Sequence, residues 1–419
     1  MVKIFPFAGI RPRKTDAPDI ASVPYDVVTT EEAHEMIARN PRSFLAVIRS
    51  DAELPHLPPD DPEVYVQARN NLSAMIENGL LVQDPGPCLY VYRVKQAGHI
   101  YTGLVACVDT GDYEENRIKR HEHTRVDKED DRTRHIDVTD ANTGLVVLLY
   151  RDEGEIFTTI ESLIPPREPD GLVKTEHGVV HELFRIDDPQ IIGETVPLFA
   201  DLPFLYIADG HHRAKSAVNV AEKRRREGRF TTESGRFMAI LFAHRRVRIH
   251  GYSRLVSDLG PYSNETFLDA LGAIFEVRQY GEIDDTVFCI PPLRDYTAPH
   301  HVIHMYLDGR WYELTCPVQQ EDGPVASLDV TLLQKTVLEG MLGISDPRRD
   351  SRLQYLGGAR PLADLEERVD NGEFAVAFSM QPVDIETVLS IADRGEVMPP
   401  KSTWFEPKLL SGLVLHSLR

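Results

Sequence analysis

Apolar and polar positions in this chain follow two periods, and prolines and glycines mark where one gives way to the other. "IFPFAGIRP" and "ASVPYDVV" carry prolines inside short apolar runs. The residue before a proline is pushed toward extended geometry, so both read as looped extended pieces. Thr30, followed by Glu31 and Glu32, opens a capped helix that Asn40 and Pro41 close. "FLAVIRS" after it reads as a strand. Val64, Ala68, Leu72, Met75 and Ile76 then recur at helical spacing up to Gly79. "CLYVYRVKQAGHIYTGLVACVDT" reads as a hairpin turning at 96–98, and "GLVKTEHGVVHELFRI" as another turning near 176–178. Asp308 and Gly309 between apolar arms signal a third. "GLVVLLY" and "FMAILFAH" read as buried strands. "SLDVTLLQKTVLEGMLGI" reads as a helix capped by Ser327 or Asp329, with Leu332, Leu333, Thr336, Val337 and Met341 on one face. Strands and helices alternate without a strict βαβ repeat, so the class expected is mixed α/β of the α+β kind.

With 419 residues the chain exceeds one ordinary core, which argues for two or three domains. The composition, 42% hydrophobic and 27% charged, is that of a globular protein. A formal net charge of -20 repels duplex DNA and anionic membrane at long range, so neither nucleic acid nor membrane is expected as a partner. The N-terminus shows no long apolar segment. Cys88, Cys107, Cys289 and Cys316 lack CxxC spacing, which favours free thiols in a reducing, cytoplasmic setting over zinc or disulfides. The basic run at 223–226 reads as the solvated side of a helix.

One corner changes the picture. "FLYIADGHHRAKSAV", residues 204–218, passes from an apolar strand into Asp209, Gly210, His211, His212 and Arg213, then into a helix whose buried stripe is Ala214, Ala217, Val218 and Ala221. A helix mouth after a strand offers free N–H donors and a favourable dipole to an anion. Gly210 permits a sharp turn, Arg213 can fork onto phosphate or carboxylate, the histidines can donate to phosphoryl oxygens, and Asp209 can hold magnesium or orient a histidine.

A second cluster, "RIKRHEHTRVDKEDDRTRHI" at 117–136, has almost no apolar spacing and reads as a charged active-site loop. His121 and His123 are two apart, which disfavours a zinc protease. The tail "MPPKSTWFEPKLLSGL" presents Lys401, Ser402 and Thr403 beside aromatics, without the glycine spacing of a Walker loop. It reads equally as a structural tail or a phosphate-binding loop.

Taken together, "PYDVV", the 121–132 segment, "ADGHHR", "GYSRLV", the 333–358 segment and "MPPKSTWFEPKLLSGL" resemble domain-of-unknown-function family 1015 nearly end to end. That family resembles the ParB/sulfiredoxin-like superfamily, whose corresponding box binds nucleotide or phosphate and whose characterised relatives include kinases of free L-serine. The resemblance implies a ParB/sulfiredoxin-like core at 116–260, with a mixed sheet, flanking helices and further α+β elaborations. An N-terminal α+β region at 1–115 would precede it, and a C-terminal one at 261–419 would send its tail, 398–413, back to the site.

It further implies phosphoryl transfer from pyrophosphate or ADP to the serine hydroxyl, with Mg²⁺ as cofactor. In that reading Glu122, Asp209 and His212 are catalytic, with Asp131 competing with Glu122 as base and Asp209 also the metal ligand. Gly210, His211 and Arg213 cradle donor phosphates, and Lys128, Arg132, Lys401, Ser402 and Thr403 neutralise developing charge. A serine-sized acceptor also needs partners for its ammonium and carboxylate; Arg11 and Asp26 are the candidates, although loop strain or capping accounts for them equally well. His123 joins them where the family pattern has HERT-like residues. The partner expected is thus a small serine-like substrate, and a homodimer is compatible with the chain. Two other readings stay open: a ParB-like nucleotide-binding switch and a phosphoester hydrolase.

Overall fold

The structure, a computed structural model, describes all residues except 282, 285, 286, 320–322 and 359. The chain divides into two compact units, residues 1–247 with 407–419, and residues 248–406. The second is thus inserted into the first. The cuts fall at 247 and 406, not at the region boundaries expected near 115 and 260.

In the first unit the apolar runs build a nine-stranded sheet. Its spatial order is Ile118–Lys119, Leu205–Asp209, Val146–Tyr150, Arg236–Ala243, His99–Asp109, Leu89–Gln96, Val180–Ile186 and Gly171–Lys174, with Ile4–Phe5 also pairing on His99–Asp109. Leu205–Asp209 runs parallel to Ile118–Lys119, and Arg236–Ala243 parallel to Val146–Tyr150. The remaining ladders are antiparallel, so the sheet is mixed and the α+β class is observed. Both expected hairpins of this unit form. Ala97 and Gly98 turn the first with φ of 47° and 77°, and Gly178 turns the second at 76°. Val146–Tyr150 is an interior strand buried at every position, so side chains on both faces of the sheet are covered and its sequence is an unbroken apolar run.

Three local expectations need correction. "FLAVIRS" is not a strand: Leu45–Ile48 is a helical turn followed by a 3₁₀ turn, Ser50–Glu53. Phe44, Leu45, Val47 and Ile48 are all buried, and a run buried on every side shows no period that separates strand from helix. Thr29, not Thr30, caps the helix Thr30–Arg39, exchanging bonds with Glu32 in a capping box. In the helix Pro62–Glu77, Tyr65 is buried and Ile76 is exposed.

The charged 117–136 stretch is not one loop: it contributes the strand Ile118–Lys119, then a short loop, then the helix Val126–Thr139. That helix buries just His135, Ile136 and Thr139, and ion pairs supply much of the rest of its docking. Asp137 accepts from Lys223 at 2.7 Å and from Arg224 at 3.0 Å. The basic run is therefore not simply solvated, since Arg224 is 4% exposed between Asp137 and Asp140.

The second unit carries a six-stranded antiparallel sheet in the order Glu276–Gln279, Arg310–Pro317, His300–Leu307, Val376–Met380, Tyr252–Val256 and Leu353–Gly357. Asp308 and Gly309 turn its expected hairpin at φ of 52° and 72°. Leu255, Tyr306, Trp311, Leu365 and Ala377 lie in its core. Its first and last strands, Arg248–His250 and Trp404–Glu406, pair antiparallel and so close the inserted segment. The expected helix near 327 begins as Asp329–Leu332 and continues as a π-helical turn, Leu333–Glu339. Neither Ser327 nor Asp329 caps it; Asp329 instead lies 2.9 Å from the His301 ring nitrogen. All four cysteines are free. Among the described residues, no helix is long and apolar enough to cross a membrane.

Candidate functional site

The strand Leu205–Asp209 ends in a register shift against Val146–Tyr150, where Ile207 pairs with Leu148 but Asp209 with Val147. The extra residue is a bulge, which re-aims the side chain that follows it. Gly210 then turns at φ +93° and the helix His211–Arg226 begins at once, with no side chain capping it. A Cβ at Gly210 would stand 3.0 Å from the Arg213 Nε, so both the turn and the close approach call for glycine. The expected stripe of Ala214, Ala217, Val218 and Ala221 is buried, which seats this mouth firmly on the sheet.

Asp209 faces two cations. Lys408 Nζ lies 2.9 Å from its Oδ2, and Arg213 Nη2 lies 3.4 Å from its Oδ1. Burial raises the carboxyl pKa, but Lys408 and Arg213 outweigh it and hold the group well below the usual carboxylate range. Arg213 also donates to the Leu145 carbonyl. Lys408 was missed in the sequence reading, although it is the second lysine of the quoted "MPPKSTWFEPK" tail.

The loop before the helix Val126–Thr139 brings a second set of groups. His121 is 3% exposed and its ring packs edge-on against His211, with centroids 4.6 Å apart. Burial pushes the His121 pKa down to about 4 despite the pull of Asp209. Burial and the neighbouring His121 push His211 well below its ordinary value. Both rings are therefore neutral near pH 7. The His211 Nε2 is buried and has no hydrogen-bond partner among the described residues, while its Nδ1 lies 4.0 Å from Glu122 Oε2. His212 accepts the Arg125 backbone N–H on Nε2 at 3.0 Å, which leaves its proton on Nδ1. Its pKa is lowered too, chiefly by burial, against the opposing pull of Glu129 and Asp26.

The structure thus brings Asp209, Gly210, His211, His212, Arg213, Glu122 and Lys408 into one corner of the first unit. Asp26 belongs to its electrostatic surroundings, since it acts on both His212 and Arg213. Other candidates stand elsewhere. Arg11 forks onto Asp84, with contacts of 2.8 to 3.0 Å. Asp131 accepts from the Tyr65 hydroxyl at 2.9 Å and pairs with Arg132 at 2.8 Å, and the Arg132 guanidinium lies 4.4 Å over the Tyr25 ring. His123 and Lys128 are exposed. Lys401, Ser402 and Thr403 belong to the second unit, where Ser402 donates to the Pro399 carbonyl at 2.7 Å.

Behind Arg213 lies a cavity of about 30 Å³ lined by Tyr25, Arg132, His135, Thr143 and Met238. It has room for a water molecule or two and not for an amino acid. Among the described residues, no group of three or more His, Cys, Asp or Glu is arranged to hold a metal ion. Asp209 therefore offers magnesium a single carboxylate already paired with two cations.

A family model described as "Protein of unknown function (DUF1015)" matches residues 4–331. No curated protein matches the chain. Among solved structures, a free serine kinase in complex with AMP is 13% identical, with 73% of this chain and 88% of that chain covered, at a TM-score of 0.36. A conserved hypothetical protein from Pyrococcus furiosus is 12% identical, covering 75% of this chain and 95% of that one, at 0.35. SbnI with C-terminal truncation from Staphylococcus aureus is 10% identical, covering 72% and 82%, also at 0.35. At such TM-scores the likeness carries no argument about activity.

Proposed function

The chain belongs to the DUF1015 family, and on that premise we propose that it is a small-molecule phosphotransferase making O-phospho-L-serine from free L-serine. The observation that carries the reading is the corner itself. An uncapped helix mouth with Gly210 at φ +93° stands between an ionised, doubly paired Asp209 and neutral histidines. Such a mouth suits phosphoryl oxygens, and phosphoryl transfer needs positioning and charge neutralisation more than a covalent nucleophile.

In this reading the donor is pyrophosphate or ADP. Its phosphates rest on the N–H groups of the helix mouth, with His211 Nε2–H as a further donor and Arg213 and Lys408 as the cations. The serine Oγ attacks phosphorus, the bond to the leaving phosphate or AMP breaks, and the Oγ proton passes to Glu122. Glu122 is favoured over Asp131 as base because it stands in the corner beside His211, whereas Asp131 lies with Tyr65 and Arg132. Asp26 serves the acceptor's ammonium. Magnesium, in this reading, arrives with the donor phosphates. A ParB/sulfiredoxin-like core and a cytoplasmic location belong to the same proposal.

The test incubates the purified chain with L-serine, Mg²⁺ and each donor in turn, and follows phosphoserine by mass. Product with one donor supports the reading. Stabilisation by nucleotide without product would favour a nucleotide switch, and phosphate release from phosphoserine alone a hydrolase; either outcome removes the kinase.

A further inference from the structure

Three stretches singled out in the sequence play no part in the corner described above: "GYSRLV", "RLQYLGG" and "MPPKSTW". All three meet within the second unit. Tyr252–Val256 pairs with Leu353–Gly357 in a register that sets Arg254 opposite Tyr355. Cross-strand partners share a face, and the Arg254 guanidinium lies 5.4 Å over the Tyr355 ring. The loop leading to Trp404–Glu406 arrives at the same place. Arg254 Nη2 donates to the Lys401 carbonyl at 3.0 Å, and Nη1 donates to the Tyr252 carbonyl. Lys401 Nζ stands 5.1 Å over the Tyr252 ring.

The charge balance of this cluster is unusual. Arg254 is 3% exposed, yet among the described residues no carboxylate pairs with it. Burial draws its pKa down to about 10, and the groups that oppose burial are two phenols, Tyr355 and Tyr252. Arg224, similarly buried in the first unit, sits between two aspartates. A buried cation without an anion is costly, because desolvation is not repaid by a counter-charge. Two backbone carbonyls occupy two of the five guanidinium N–H groups and supply no net negative charge.

The backbone around it is strained and well held. Lys401 is a non-glycine residue at φ +56°, in the sparsely populated left-handed region. Gly358 turns at +91°, and a Cβ there would stand 2.9 Å from the Trp404 ring. Arg348, exposed, adds positive potential beside Tyr355, and Asp346 is the acid that acts on the same ring.

We propose that Arg254 is the floor of an anion-binding site within the second unit, with Lys401 at its rim, taking a compact phosphate-type oxyanion. The ligand is inorganic phosphate or the phosphoryl group of a small monoester, either of which matches the guanidinium fork and a nearby ammonium. The site stands apart from the kinase reading, since the binding it predicts requires neither serine nor turnover.

The experiment titrates the full chain with orthophosphate calorimetrically, at constant ionic strength against chloride. Arg213→Gln serves as the background in which the helix-mouth site is weakened. One saturable phosphate site is expected to persist in that background, together with a phosphate-dependent rise in Tm. Adding Arg254→Met or Lys401→Gln is expected to weaken the site at least tenfold and abolish the Tm response. Lys401 is exposed, so Lys401→Gln carries the test should the Arg254 variant fail to fold. A parallel titration with glycerol phosphate separates the two ligand sources by relative affinity. No phosphate binding above the chloride control, or unchanged affinity in Lys401→Gln and in folded Arg254→Met, overturns the proposal.

Discussion

Lys408 Nζ and Asp209 Oδ2 are 2.9 Å apart although 199 residues separate them in sequence. The pair joins the helix mouth to the segment that returns after the inserted unit. With Lys408 removed, Asp209 keeps one cation instead of two and its carboxyl pKa rises. Lys408→Met is expected to lower phosphoserine formation about 100-fold, a typical cost for a lost transition-state charge partner. The acid limb of the pH–rate profile moves upward at the same time. Unchanged kcat/KM and an unmoved acid limb would remove Lys408 from the machinery.

Glu122 and Asp131 can be separated as bases. Glu122→Gln is expected to lower kcat by about 10²- to 10⁴-fold, with donor binding retained in a thermal-shift titration. Asp131→Asn is expected to spare kcat and cost about 1–3 kcal/mol of stability in urea, because the Tyr65 hydroxyl and Arg132 lose their charged partner. The opposite pattern reassigns the base to Asp131.

Gly210 at φ +93° gives a third test. Gly210→Ala is expected to cost about 1–2 kcal/mol from left-handed strain and to weaken donor binding by crowding Arg213. Gly98, at +77° with nothing near its absent Cβ, is the control. Gly98→Ala should show a similar strain cost with donor affinity intact. Equal donor affinities in the two variants would argue against the helix mouth as the phosphate site.

Acid sensitivity follows from the buried imidazoles. His121 and His135 are each pushed down from 6.5 to about 4, with burial the largest cause. Between those values the unfolded chain binds more protons than the folded one. Their contribution to stability is therefore complete above about pH 6.5, is lost as pH falls toward 4, and levels off below that. Tm measured across that window is expected to fall with pH. His135→Gln, which keeps a donor for the Val47 carbonyl, should make the fall shallower. A slope identical to that of the parent chain would mean that His135 takes up its proton equally in the folded and unfolded states.

The sequence made some of this readable and hid the rest for identifiable reasons. The strand, glycine and helix of the corner were legible because apolar length and an alanine stripe mark them locally. The hairpins at 97–98 and 308–309 were legible because turn chemistry is local as well. "FLAVIRS" was misread because uniform burial erases periodicity. The helix Val126–Thr139 was misread as loop because ion pairs with Lys223 and Arg224 stand in for an apolar face. Arg11 is held by Asp84, 73 residues away, a partner that no local pattern names. Lys408 was hidden for the same reason, since nothing near it in sequence names its partner.

The insertion of residues 248–406 between Val247 and Pro407 also sets an order of assembly during synthesis. A ribosome makes the histidines, the glycine and Asp209 early, but Lys408 only after the whole inserted unit has been translated. Until then Asp209 has Arg213 as its cationic partner and awaits the second. A nascent chain halted anywhere within the insertion therefore carries the helix mouth in an incomplete electrostatic state.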